Sequence, residues 1–199
     1  IDDIAVLIDR TVPGTVNGQL VYGLTAGNSL VSFDSNDPST VRAVVAVTGI
    51  TTGQSIVGMD FRPATGELYA LGYNNATGES QLYTIAPATA VATMVGSSVT
   101  LALGTGTVGM DFNPTVDRIR VIGSNDANYR LNPITGAIAS TDSTLAFAAS
   151  DVNAGANPAM GSGAYINSYK GATTTALYNY DETLNILALQ NPPNNGTLN

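Results

Sequence analysis

Short apolar runs of about five residues recur along this chain, each separated from the next by a cluster of turn-forming residues. Ile56 to Phe61 reads as one strand, and Arg62-Pro63-Ala64-Thr65-Gly66 follows as a turn, with Pro presetting φ and Gly taking the left-handed position. Glu67 to Leu71 is a second strand, and Asn74-Asn75-Ala76-Thr77-Gly78 turns the chain again. Gln81 to Ile85 and Val91 to Val95 complete a set of four, with Pro87 to Thr89 between them. Strands at this spacing predict an all-β sandwich, barrel or propeller. No segment of ten or more residues carries helical periodicity.

A repeat narrows the choice. Val57-Gly58-Met59-Asp60-Phe61-Arg62-Pro63 returns as Val108-Gly109-Met110-Asp111-Phe112-Asn113-Pro114. Leu68-Tyr69-Ala70-Leu71-Gly72 then matches Ile119-Arg120-Val121-Ile122-Gly123, and Tyr83-Thr84-Ile85 matches Tyr129-Arg130-Leu131. A period of about fifty residues with four strands per unit predicts propeller blades. The expected fold is therefore all-β, a β-propeller-like repeat of four-stranded antiparallel blades, with about four blades present and the terminal ones incomplete.

The outer units match less fully. Leu20 to Thr25, Leu30 to Asp34 and Val41 to Val47 align with strands two to four, so the first blade lacks its innermost strand. The last unit offers Met160 to Ile166, Ala176 to Tyr180 and Leu184 to Leu189, and its outer strand only begins at Thr197-Leu198-Asn199. Open strand edges are usually paired or covered. Ile4-Ala5-Val6-Leu7-Ile8 is the candidate donor strand, and residues 1–19 are read as an extension and linker ahead of a repeat domain at 20–199. Such a strand closes its own sheet or, added to a neighbouring subunit, builds homo-oligomers or filaments.

Several long phrases carry a family resemblance. Val21-Tyr22-Gly23-Leu24-Thr25, Gly58-Met59-Asp60-Phe61-Arg62-Pro63-Ala64-Thr65-Gly66, the run from Asp111 to Val121, and Gln190-Asn191-Pro192-Pro193-Asn194-Asn195-Gly196-Thr197-Leu198 occur in order. Together they resemble a bacterial secreted family known only as a domain of unknown function, number 4394, over about residues 20 to 199. The resemblance implies export and a propeller-like β fold. It supplies no activity, and members usually continue with further strands, so a fragment, a processed form or a subunit completed by another chain is expected.

Composition removes several function classes. The net charge is −8, and the bases are six arginines and Lys170, which gives nothing to neutralise a run of phosphates. Nucleic acid is excluded as a partner on that ground. The longest apolar run, Ile4 to Ile8, is far short of a membrane span. The absence of His and Cys excludes histidine triads, thiol nucleophiles and ordinary zinc sites. Ile1 at the start and the low lysine content lead to the expectation of a secreted or cell-surface protein from which a leader has been removed.

Among the remaining polar residues, Asp60 and Asp111 hold equivalent positions on the presumed innermost strands. Their repetition favours structural work, such as accepting hydrogen bonds from turn amides, over catalysis. Asp34, Asn36 and Asp37, and again Asn125, Asp126 and Asn128, supply oxygen ligands suited to calcium, as does Asp181 with Glu182. Pro38 breaks the EF-hand pattern, and turn formation is the plainer role. Tyr69, Tyr83, Tyr129 and Tyr178 fall on strands and are expected to pack between blades. No catalytic residues and no cofactor are predicted. The expected function is a non-enzymatic extracellular structural or adhesive module that self-assembles by strand exchange. A monomeric propeller binding glycan, peptide or calcium is the alternative, with a hydrolase third.

Overall fold

A computed structural model describes residues 15–199. The proposed donor strand, Ile4 to Ile8, lies outside the described residues. The chain divides into two compact units, 1–46 and 47–199, each taken by itself below.

The first unit holds an antiparallel meander of β1 (Leu20–Leu24), β2 (Ser29–Asp34) and β3 (Asp37–Ala46). Along β2 the buried positions are Leu30, Ser32 and Asp34, the period of two that a half-buried strand requires. Asn28 turns the chain into β2 at φ 56°, a left-handed conformation that Asn tolerates. Among the described residues this blade has three strands, in keeping with the missing innermost strand read from the repeat.

The second unit contains three sheets. The first is the meander β4 (Ser55–Phe61), β5 (Leu68–Tyr73), β6 (Glu79–Ala86) and β7 (Val91–Thr100). The second repeats it with β8 (Val108–Asn113), β9 (Arg118–Gly123), β10 (Asn128–Leu131) and β11 (Ile138–Thr141). The third has the order β12-β16-β15-β14-β13, from β12 (Ala146–Phe147), β13 (Met160–Tyr165), β14 (Leu177–Asp181), β15 (Ile186–Gln190) and β16 (Thr197–Leu198). One 3-10 turn, Pro193–Asn195, precedes β16. The fold class is as the repeat predicts: nearly all-β, with four small, mostly antiparallel sheets as propeller-like blades.

The strands end where side chains can replace backbone acceptors. Asn74, Asn113 and Asn132 each accept, through Oδ1, an amide two residues ahead. Gly66, Gly78 and Gly136 then take left-handed φ of 77°, 76° and 69°. Asp117 occupies the corresponding place after β8 at φ 50°. The recurrent Asn and Gly are thus turn chemistry reused blade by blade.

Packing is between sheets. Tyr69, Leu71 and Leu82 meet Met110, Phe112, Ile119 and Val121 in one buried cluster, with the rings of Tyr69 and Phe112 edge to face at 5.3 Å. Each such side chain, fully buried, contributes about 1.5–3 kcal/mol. A second cluster joins Ile122 to Phe147, Met160, Ala188 and Leu198. Tyr83 is fully buried, with its hydroxyl bonded to Thr51 and Gln54.

The last sheet goes further than expected. The outer strand read at Thr197-Leu198 is β16, which pairs antiparallel with β15, and β12 then pairs with β16 in parallel and covers its far edge. Ala146 and Ala148 donate to the Gly196 and Leu198 carbonyls and complete the cover. β12 lies in a segment where the hydrophobic pattern predicts no strand, because two residues leave no periodicity. Strand β7 also runs five residues beyond its expected end at Val95.

Close approach of β4 to β8 depends on a glycine. A Cβ on Gly58 would lie 2.6 Å from the Met110 Cβ. Gly58→Ala is therefore expected to destabilise the second unit by about 1–3 kcal/mol. Urea unfolding checks this, and an unchanged midpoint contradicts the tight packing of these strands.

Candidate functional site

β8 is the edge strand of its sheet, so alternate N–H groups face away from β9 and need acceptors elsewhere. Asp60 Oδ2 accepts the Phe112 N–H at 2.9 Å, and Asp111 Oδ2 accepts the Tyr165 N–H at 2.7 Å. Each carboxylate therefore clasps the innermost strand of the next sheet. This corrects the expected bond to turn amides: the repeated Asp joins blades rather than closing turns. Asp60 and Asp111 are also hydrogen-bonded to one another. Burial and the Asp60 charge push the Asp111 carboxyl up to about 8, and burial raises Asp60 as well. At neutral pH the pair holds one proton between two carboxyl groups.

The registers of the three sheets allow the same row to be compared. In the first, Asp60 faces Tyr69, which faces Thr84. In the second, Asp111 faces Arg120, which faces Arg130. In the third, Ala164 faces Tyr178, which faces Leu189. Two arginines thus stand where the other blades carry Tyr and either Thr or Leu. The repeat breaks there.

Arg120 is 3% exposed, and its guanidinium is held on all sides. It donates to Asp142 at 2.5 Å, Asn128 at 2.7 Å, Asn194 at 2.8 Å and the Tyr165 hydroxyl at 3.3 Å. Arg130 binds the same carboxylate through a two-point fork at 2.8 Å. Burial alone would raise the Asp142 carboxyl, but hydrogen bonds from Arg130, Ser140 and Arg120 outweigh it and hold the group below its ordinary value. Asn128 and Gln190 fix the turn at Pro193, both donating to its carbonyl. That turn carries Asn194 onto Arg120.

Beside this network is a cavity of about 350 Å³. Arg118, Arg120, Arg130 and Tyr165 give it polar walls, while Val116 and Pro193 add apolar surface. Arg120 and Arg130 share one carboxylate, Asp142, while among the described residues Arg118 bonds only the Asp117 carbonyl, so the cavity is a cationic spot on a chain of net charge −8. The arrangement can hold an oxyanion by paired N–H donors and support an apolar body beside it. Sequence reading passed over it by weighing the bases over the whole chain. The signal was present in the repeat, where Arg120 aligns with Tyr69 and Arg130 with Thr84.

Most of the calcium candidates have other partners, although one buried carboxylate oxygen of Asp126 has none among the described residues. Asp34 accepts backbone amides from Asn36, Asn17 and Gly18, and these hold its carboxyl low. Asp37 accepts the Ser39 hydroxyl, and Asn125 donates to the Ala102 carbonyl. Burial raises the Asp126 carboxyl. Asn128 belongs to the arginine network, Asp181 caps the amides of Ala159, Thr183 and Leu184, and Glu182 accepts the Thr107 hydroxyl. Among the described residues no three acidic side chains gather as a metal cluster.

A family model described as a domain of unknown function, DUF4394, matches residues 29–199. The chain belongs to this DUF4394 family. Its fold is shared with a solved structural genomics protein of unknown function from Bacteroides thetaiotaomicron, 17% identical, at a TM-score of 0.50. That alignment covers 92% of this DUF4394 chain and 43% of the Bacteroides protein, so the chain spans under half of that protein's length. No functionally curated protein matches the sequence.

The Asp60–Asp111 pair gives the DUF4394 chain a pH signature. The folded state keeps a proton on Asp111 up to about pH 8, whereas an unfolded Asp releases it near 4. The pair's contribution is therefore full below about pH 4 and falls as pH rises through the window from about 4 to about 8. In Asp111→Asn the amide preserves both hydrogen bonds without the titration. Urea denaturation between pH 4 and 8.5 should show its stability rising relative to the parent across that window. Parallel curves contradict the shared proton.

Proposed function

We propose that this chain is a non-enzymatic, extracellular ligand-binding module, with the arginine cavity between the second and third sheets of the second unit as its binding site. The observation that carries this reading is the broken repeat: Arg120 and Arg130 take the places of Tyr69 and Thr84, at a seam where apolar contact would hold the sheets together. Burying a guanidinium costs several kcal/mol unless it is fully paired. A fold that accommodates Arg120 and Arg130 beside an open cavity uses their charge for more than cohesion. The cavity volume falls in the range of small-molecule sites, about 300–1,000 Å³.

The acid pair is the hydrolase candidate, and its geometry argues against that role. Both carboxylates are bonded to backbone amides of neighbouring strands, and at neutral pH they share a proton in the sheet seam. They act as structural acceptors.

A structural or adhesive role with self-association is the second reading. It is favoured by an apolar groove of about 500 Å³ on the third sheet, lined by Ala164, Ile166, Tyr178, Tyr180 and Leu187. Strand exchange at the far end has less support, because β16 already has a partner on each side.

A fragment screen read by amide NMR separates these readings. The binding module predicts shifts clustered at Val116, Arg130 and Asn194, with no product formed. Product formation that is lost in Asp60→Asn makes the chain a hydrolase. Association of the ligand-free chain, with no shifts at those residues, favours the structural module.

A further inference from the structure

Resting on the binding reading above, we infer that the ligand of the arginine cavity is a small molecule bearing an oxyanion, of about sugar size, gripped by Arg118 and Arg130. Three observations assign the grip. First, the donors are not exhausted. Arg118 bonds the Asp117 carbonyl through one nitrogen, and Arg130 gives Asp142 two N–H groups, so each fork keeps further donors on the cavity side. Second, the local acceptors are used. Both oxygens of Asp142 are already taken by Arg120, Arg130 and Ser140, so Asp142 cannot neutralise Arg118 as well. Third, the site is rigid. Arg120 is fixed by four partners and Asn194 by its bond to Arg120, so the wall that faces the ligand is set before binding.

The chemistry of the walls defines the ligand. Guanidinium forks match the two-oxygen edge of a carboxylate, sulfate or phosphate, and the match is lost with a hydroxyl or an amide. The Tyr165 hydroxyl accepts from Arg120, which leaves its own proton to donate toward the cavity. Val116, Pro193 and the Tyr165 ring offer apolar surface against which the C–H face of a sugar ring or a short aliphatic chain can lie. A cavity of about 350 Å³ has room for one such body. The charge balance agrees: among the described residues no carboxylate pairs with Arg118, and the chain as a whole is acidic.

Calorimetry on the full chain tests the inference with glucuronate, glucose 6-phosphate, inorganic phosphate and glucose. Glucuronate or either phosphate should bind and glucose should not, and binding should weaken with rising salt. Comparison of inorganic phosphate with the two sugar acids tells whether the free oxyanion or an acid sugar is the source. Arg118→Gln should weaken binding about ten- to hundredfold, as the loss of charge-assisted hydrogen bonds requires. Arg118 is only partly buried and outside the Asp142 network, so that variant is expected to fold, and Arg130→Lys provides a second. Glucose binding as tightly as glucuronate, with no effect of either variant, overturns the oxyanion inference and leaves the cavity as a binding site. Silence from all four probes overturns both.

Discussion

The carboxylate that reaches from one innermost strand to the amide of the next is the contact on which the second unit depends. Sheets that pack by apolar faces alone can slide, because the hydrophobic effect has no direction. The hydrogen bond that the Phe112 N–H donates to Asp60, and its repeat from the Tyr165 N–H to Asp111, fixes the lateral register of each sheet against its neighbour. The same bonds satisfy edge amides that would otherwise be left without acceptors. Tyr69 and Phe112, Gly58 and Met110, and Arg62 with Asp117 all meet as they do because that register is set.

The ladder of acids has a definite end. Ala164 stands in the third sheet where Asp60 and Asp111 stand in the first two, so the third sheet receives a clasp and offers none of this kind. Between the second and third sheets, part of the apolar seam is given over to the Arg120, Arg130 and Asp142 network. Cohesion there rests on Ile122 packing against Met160 and its neighbours, and on polar bonds through Asn128, Gln190 and Asn194. A seam of this composition is stiff and charged, which are the properties a preformed site requires.

Much of this was legible in the chain. The repeated phrase ending in Asp60-Phe61 and Asp111-Phe112 located two innermost strands, and the Asn and Gly spacing located the turns. The role of the acids was half legible: repetition marked them as structural, but their acceptor bonds run more than fifty residues ahead, beyond any local rule. The start of β16 was read at Thr197-Leu198, but β12 was illegible because two residues carry no period. The arginine site was legible in principle, since a charged residue replacing Tyr69 among the apolar positions Ile119, Val121 and Ile122 is a conflict between local pattern and fold. It was passed over because charge was judged along the whole chain rather than within the repeat. The turn at Pro193 and Asn194 was recognised as part of a family phrase, yet its contact with Arg120 requires the folded chain.

Amide hydrogen exchange at Phe112, compared between the parent and Asp60→Ala, tests the inter-sheet clasp most directly. The account predicts that the Phe112 amide is protected in the parent and exchanges much faster in the variant, while the Ile119 amide within β9 changes little. Equal exchange at Phe112 in both proteins would show that Asp60 does not hold the next sheet, and the account would fail.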